Sequence, residues 1–426
     1  MKYILALKLQ FLARLILKKY QPRIIAITGS VGKTSVKDAI FAVVSKQISA
    51  WRSPANYNNE LGVPLAIIGA RSGGRSVFAW LGVFLRALRI IFFPFSYPKI
   101  LVLEMGADHP GDIQKLALLA VPEMSVVTAV SSAHTEFFGD IKRVAEEKGR
   151  IIDALPRIGV AILNRDDDLA YAMAARSKGR VVTYGFRDGS DVQAREMKMR
   201  SGGPYSLGGV SFTLRHQGNS LTVFLPGVAG RQHVFAALAA AAAGFSFGMT
   251  LAAVVEGLGA YTPPAGRMRL LPGIKNTILI DDTYNASPRA ALEALLALKS
   301  LADARGGARR IAVLGDMLEL GGETENAHRE VGARAAESAD MLIGVGEASR
   351  FLCEEAQKCG MSKSTVAHFH TAAEAGHWLQ DEVRSGDVVL VKGSQGVRME
   401  RIVKEVMGEP LRAKELLVRQ SDEWQG

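Results

Sequence analysis

Residues 23–40 read RIIAITGSVGKTSVKDAI: an apolar run, two glycines bracketing Ser30 and Val31, then Lys33, Thr34 and Ser35. Glycines at 29 and 32 let backbone N–H groups approach an anion, and a helix starting behind them adds its positive end. The pattern predicts a phosphate cradle over Gly29, Ser30, Val31, Gly32, Lys33, Thr34 and Ser35. Lys33 would reach the terminal phosphates of a nucleotide, and the Thr34 hydroxyl would ligate Mg2+. With only two residues between the glycines, the loop is shorter than the usual spacing of such cradles.

Further along, acidic and imidazole groups fall where strands should end. Glu104 closes the apolar run of LVLEMGA, where an uncompensated carboxylate is costly. A metal would compensate it. His134, in SSAHTEFFG, follows the next strand. With Thr34 on a neighbouring loop, the two form a candidate Mg2+ site. Lys148, in VAEEKGRI, reads by itself as a solvated helix lysine. Other residues invite overreading. Asn164 and Asp167 in LNRDDD loosely match a guanine reader, but strand-end Asn and Asp are common turn residues. His368 and His370 could share one face of a strand; without a third ligand they read as surface or loop residues. His109, beside Asp108, reads as a turn residue.

The elements that must position these groups follow from hydropathy. Between Arg23 and Phe186, strand-like runs (IIAIT, ILVLEMGA, MSVVTAV, VAILN, RVVTYGF) alternate with helical patterns. That alternation predicts a parallel, doubly wound sheet with its binding loops at the strand carboxyl ends. Residues 190–227 read as an antiparallel excursion with glycine turns, followed by an alanine-rich helix. YTPPAGRMRLLPG has linker-like punctuation, and a second αβ series follows it. The expected division is 1–22, a basic amphipathic segment; 23–265, a central domain; and 266–426, a C-terminal domain.

With 426 residues, 48% of them hydrophobic, the chain can bury two or three domain cores. A net charge of +10 favours anionic partners. Nucleic acid is not expected, since no basic run is interleaved with aromatics. Cys353 and Cys359 match no zinc or redox spacing, and read as ordinary helix residues in a reducing cytoplasm. The opening MKYILALKLQFLARLILKKYQPR is too interrupted by basic residues to span a bilayer. It predicts a basic amphipathic helix that packs on the protein, with a membrane surface as the alternative. The apolar, aromatic and basic insertion 75–99 carries Arg86 and Arg89 at its middle. It is expected to be buried or intramolecular, with peripheral membrane contact again the alternative.

Taken together, TGSVGKTS, NYNNELGVPLAI, LEMGADHPGDI, AHTEFFG, EEKGRI, DDTYNASP, LGDMLELG and VLVKGSQGVRME, in this order, resemble the Mur ligases. These are ATP-dependent, amide-forming enzymes of peptidoglycan precursor synthesis, and NNELGVPL, DDTYNASP and LGDMLELG point to the D-alanyl-D-alanine-adding branch. The resemblance implies an α/β fold with a central P-loop ATPase-like doubly wound sheet and a C-terminal Rossmann-like α/β domain. It implies that Lys33 and Thr34 hold ATP phosphates and Mg2+, and that Glu104 and His134 complete the metal environment. Lys148 matches a lysine that is carbamylated in the family and helps bind a second Mg2+. Asp281, Asp282, Tyr284 and Asn285 match the segment through which the C-terminal domain closes over ATP, and Arg267 an arginine near the hinge. Asn58, Asn59 and Glu60 fall in the loop facing the acceptor channel; Lys392 and Ser394 fall where an incoming substrate is oriented. The implied reaction activates a peptide carboxylate as an acyl phosphate, which a dipeptide amine then attacks. The implied substrates are a UDP-sugar-peptide and D-alanyl-D-alanine, and a cytoplasmic monomer is expected; the alternatives are a ligase for another acceptor, lipid-linked or of poly-γ-glutamate or cyanophycin type, and a noncatalytic nucleotide-binding scaffold. Two features depart from the pattern. About twenty residues stand before the first strand where the family carries a uridine-binding domain, which leaves that site unaccounted for. His233 is present, but Ala237 stands where the family has an adenine-holding Asn.

Overall fold

The protein is described by a computed structural model covering residues 2–54, 56–131, 138, 140–202, 207–421 and 424, without the side chains of Lys2 and Tyr3. The chain divides into two compact units. The first comprises residues 1–196, 212–223 and 234–262; the second comprises 197–211, 224–233 and 263–426.

The first sheet is built on β1 (Arg23–Thr28), β2 (Ala50–Arg52), β3 (Ile100–Glu104), β4 (Met124–Val127), β5 (Val160–Asn164) and β6 (Arg180–Gly185), continued by β7 (Val192–Arg200), β8 (Gly209–His216) and β9 (Asn219–Pro226). Their order is β2-β3-β1-β4-β5-β6-β7-β8-β9. β1, β3 and β4 are buried almost end to end, as parallel strands covered on both faces must be. The chain leaves β1 toward β2 and β3 on one side and returns to β4 on the other. The carboxyl end of β1 is therefore a switch point, where doubly wound sheets open a crevice. Register then matters: Ile27 lies beside Glu104 and Thr28 beside Val127. The last residue of β3 thus flanks the turn that leaves β1.

Helix α1 (Lys2–Tyr20) packs on α3 (Gly62–Ile68) and α4 (Val77–Phe92). Ala6, Leu9, Leu12, Ala13 and Ile16 form its buried face, so intramolecular packing is observed for that half of the helix. Lys19 Nζ donates to the carbonyls of Ile90, Ile91 and Phe93 at 3.0, 2.8 and 3.0 Å. These are orphan acceptors at the end of α4, where a cation also suits the helix dipole. Residues 75–99, expected to be buried or intramolecular, pack on the protein along one side only. α4 fully buries only Val83, Ala87 and Ile90, one stripe at i, i+4, i+7; Trp80, Phe84 and Ile91 flank that stripe partly buried against the core, while Phe78, Leu81, Leu85, Leu88 and Phe92 face outward.

The second sheet runs β10 (Arg269–Pro272), β11 (Ile278–Asp282), β15 (Val388–Lys392), β12 (Arg310–Gly315), β13 (Met341–Val345) and β14 (Val366–Phe369). All neighbours are parallel except β10 on β11. β10 lies inside the stretch that reads as linker. Its Pro272 is tolerated because β10 ends one edge of the sheet. Separate apolar clusters cover the two faces of this sheet. Cys353 lies buried in the helix Ser349–Lys358, and Cys359 is exposed at its end.

Candidate active site

The turn after β1 has little freedom. Gly29 has φ +146°, and a Cβ there would lie 1.9 Å from Thr128 Oγ1. Gly32, at φ +83°, starts α2 (Lys33–Val44) from the left-handed region. Both positions favour glycine. The turn is tied to the strand beside it: Ser30 N donates to the Ala129 carbonyl at 2.7 Å, and Thr128 Oγ1 donates to the Val31 carbonyl at 2.5 Å. Lys33 Nζ lies over the turn, 2.7 Å from the Gly29 carbonyl. Asn164 and Asp167 brace the same region: Asn164 Nδ2 donates to the Thr128 carbonyl at 2.8 Å, and Asp167 accepts from Val130 N at 3.1 Å. Asp167 also caps the short helix Asp168–Ala172. Both residues are engaged as turn and brace residues.

Beneath the turn, Thr34 Oγ1 donates to Glu104 Oε2 at 3.1 Å, and Asn58 Nδ2 donates to Glu104 Oε1 at 3.3 Å. Asn56 Oδ1 stands 3.5 Å from the Thr34 hydroxyl. A hydroxyl, one buried carboxylate and amide oxygens suit a hard cation that keeps much of its water shell. The residues present therefore fit Mg2+. Asn59 accepts from Gly62 N at 2.9 Å and so fixes the start of α3; Glu60 is exposed. His134 lies outside the described residues.

Lys148 sits on the helix Ile141–Asp153 and is buried. Burial, and next the charge of Lys33, lower its pKa from 10.5 to about 7, against the opposing pull of Glu147 and Asp108. The neighbouring Glu147 is a residue that sequence reasoning missed. Its carboxylate accepts from Gly111 N at 2.8 Å and Ile113 N at 2.9 Å, capping α5 (Asp112–Leu119) and holding the loop after β3. The signal available was only a Glu beside Lys148; its partner lies more than thirty residues away.

In the second unit, register sets Asp282 beside Lys392. Lys392 Nζ donates to Asp282 Oδ2 at 2.7 Å and to the Asn285 carbonyl at 2.8 Å. The Arg267 guanidinium lies 4.0 Å from the Tyr284 ring centroid. Asp281 is fully buried; it accepts from Gly266 N at 3.0 Å and from Thr283 Oγ1 at 2.6 Å. Desolvation raises its pKa to about 6 against those bonds. His233 Nε2 donates to the Arg267 carbonyl at 2.8 Å, and desolvation lowers its pKa to about 4, so the ring is neutral. Ser394 Oγ accepts from Leu318 N at 2.9 Å. His368 and His370 bond to the Gly346 carbonyl and to Glu347. His109 sits in the turn before α5, its backbone N–H bonded to Asp112.

The profile of the Mur ligase middle domain matches residues 90–244, and that of the Mur ligase, glutamate ligase domain matches residues 266–395. The UDP-N-acetylmuramoyl-tripeptide–D-alanyl-D-alanine ligase of Bacillus subtilis is 31% identical over 405 residues, 95% of this chain and 80% of that protein. The chain belongs to the Mur ligase family. The Mycobacterium tuberculosis (strain CDC 1551) ligase of the same name is 34% identical over 391 residues, 87% of this chain and 70% of that protein. Among solved structures, the MurF ligase of Thermotoga maritima in complex with ADP superposes with a TM-score of 0.76 at 26% identity, covering 96% of this chain and 84% of that one. MurF of Acinetobacter baumannii gives 0.74 at 26% identity, covering 93% and 79%. As a Mur ligase, the chain carries Lys33, Thr34 and Glu104 at the switch point of its first sheet, and the DDTYN segment pinned by Lys392 in its second unit.

Proposed function

We propose that this Mur ligase uses ATP to join D-alanyl-D-alanine to the peptide carboxylate of UDP-N-acetylmuramoyl-tripeptide, on the cytoplasmic side where both nucleotides are found. One arrangement carries the reading: the Gly29 turn, closed to any side chain, with the Thr34 hydroxyl 3.1 Å from Glu104 beneath it. Thr34 and Glu104, joined by His134, would hold Mg2+, which when bound offsets charge on the transferring phosphoryl group. Lys33 would exchange its carbonyl partners in the loop for phosphate oxygens. At a pKa of about 7 a good part of Lys148 is neutral amine at physiological pH. That is the form able to add CO2, and the resulting carbamate would present an anion toward a second Mg2+. In the second unit, Arg267 on Tyr284 offers a cation for nucleotide. Lys392, with Asp282 and Asn285, and Ser394 would act by holding their loops in place for substrate. Asn58 and Asn59 play the same part in the first unit.

The test is phosphate release with product mass analysis. UDP-N-acetylmuramoyl-tripeptide with D-alanyl-D-alanine is compared with single D-amino acids, L-glutamate and a lipid-linked peptide. Release that requires the first pair, with a product heavier by the condensed dipeptide, is the expected result. An amide formed only on another acceptor would overturn the substrate while keeping the ligase.

A further inference from the structure

The outward face of α4 carries Phe78, Leu81, Leu85, Leu88 and Phe92, with relative exposures of 85, 53, 58, 40 and 73%. Their alternating three- and four-residue spacing puts them on one stripe, about 21 Å long at the rise of an α-helix. Nothing among the described residues covers them. Beside them, α1 exposes Ile4, Leu7 and Phe11 at 59, 48 and 62%. A shallow groove lined by Leu7, Lys8, Phe11, Leu12 and Phe84 makes the two helices one apolar surface. Scattered exposed apolar residues are ordinary; a continuous stripe of large ones marks an interaction surface.

Charge decides among occupants. Residues 1–22 hold five Lys or Arg and residues 75–99 hold four, and neither stretch contains an Asp or Glu. Lys8, Arg14, Lys18 and Arg89 are exposed on α1 and α4 themselves. A second copy docked on this face would bring like-charged rims together. No helix among the described residues is long and apolar enough to cross a membrane. We propose that α1 and α4 seat the enzyme on an anionic phospholipid surface, the apolar stripe entering the acyl boundary and the basic rim meeting headgroup phosphates. The inference goes beyond the ligase reading and does not depend on it.

The test is flotation of the intact chain with vesicles of phosphatidylglycerol and phosphatidylcholine against pure phosphatidylcholine, at low and high salt. Partition onto the anionic vesicles should be at least about tenfold stronger and should fall with salt. The exposed pair Leu85→Glu with Phe92→Glu, and separately Lys8→Glu with Arg14→Glu, should each lower partition about tenfold while melting temperature and ligase activity hold. Equal partition onto neutral vesicles, or no flotation, overturns the proposal. So does a dimer in sedimentation that Leu85→Glu with Phe92→Glu dissolves.

Discussion

At the scale of single residues, type and strand-end position made Lys33, Thr34 and Glu104 legible, because each has few uses at the end of a buried parallel strand. Removing the Lys33 amine should lower phosphate release by about 10²–10³-fold, as expected for loss of one aimed cation. A Lys33→Ala chain with unchanged melting temperature and undiminished turnover would remove the cradle from the mechanism. Asp281 and His233 were visible as residues, but their buried states were not, since burial depends on the whole second unit. Asp281 takes up its proton at about pH 6 when folded, against 3.8 ordinarily. Its contribution to stability is complete below 3.8 and is lost as pH rises through 6. His233 acts in the opposite sense. Its folded value of about 4 lies under 6.5, so its contribution is present above 6.5 and is lost as pH falls toward 4. The two offset each other between about 4 and 6. Asp281→Asn should therefore lose melting temperature faster than the parent chain on acidification from pH 6 to 4. A constant gap between the two melting curves would contradict the buried carboxyl.

At the scale of elements, the long buried strands were readable from their apolar runs. β2 and β10 were not: one has three residues, and the other ends in Pro272 within a stretch punctuated like a linker. α4 was recognisable as apolar, yet which face it buries depends on α3 and on α1, the latter far from it in sequence. The helix Ile141–Asp153 couples two tasks. Glu147 caps α5 and thereby fixes the rotation of its own helix, which sets where the Lys148 amine lies. Glu147→Ala should cost about 1–3 kcal/mol of stability. It should also speed hydrogen exchange at the Gly111 and Ile113 amides. Because it misplaces the lysine, its activity loss should add little to that of Lys148→Ala; full additivity in the double variant would argue that the two act separately. Gly29→Ala, which meets both a strained φ and Thr128, should destabilise by about 2–3 kcal/mol and weaken ADP binding, read by calorimetry.

At the scale of the molecule, the two αβ series announced two sheets, but residues 197–211 and 224–233, which cluster with the second unit, carried no such signal. The first unit and the two faces of the second sheet have their own apolar clusters. Truncating fully buried Leu390 on β15 should therefore cost about 2–5 kcal/mol. In calorimetry that loss should lower one unfolding transition and leave another in place; a single shifted transition would mean the units melt together. The docking of α1 has a consequence in time as well. Its partners at the end of α4 lie 71 residues downstream of Lys19. At ordinary rates of synthesis the inner apolar face of α1 waits roughly 4–14 s before those residues exist. During that interval the nascent chain presents a basic helix that is apolar on both sides. Whatever the ribosome's surroundings offer such a helix, a chaperone or a membrane, has the first opportunity to bind it.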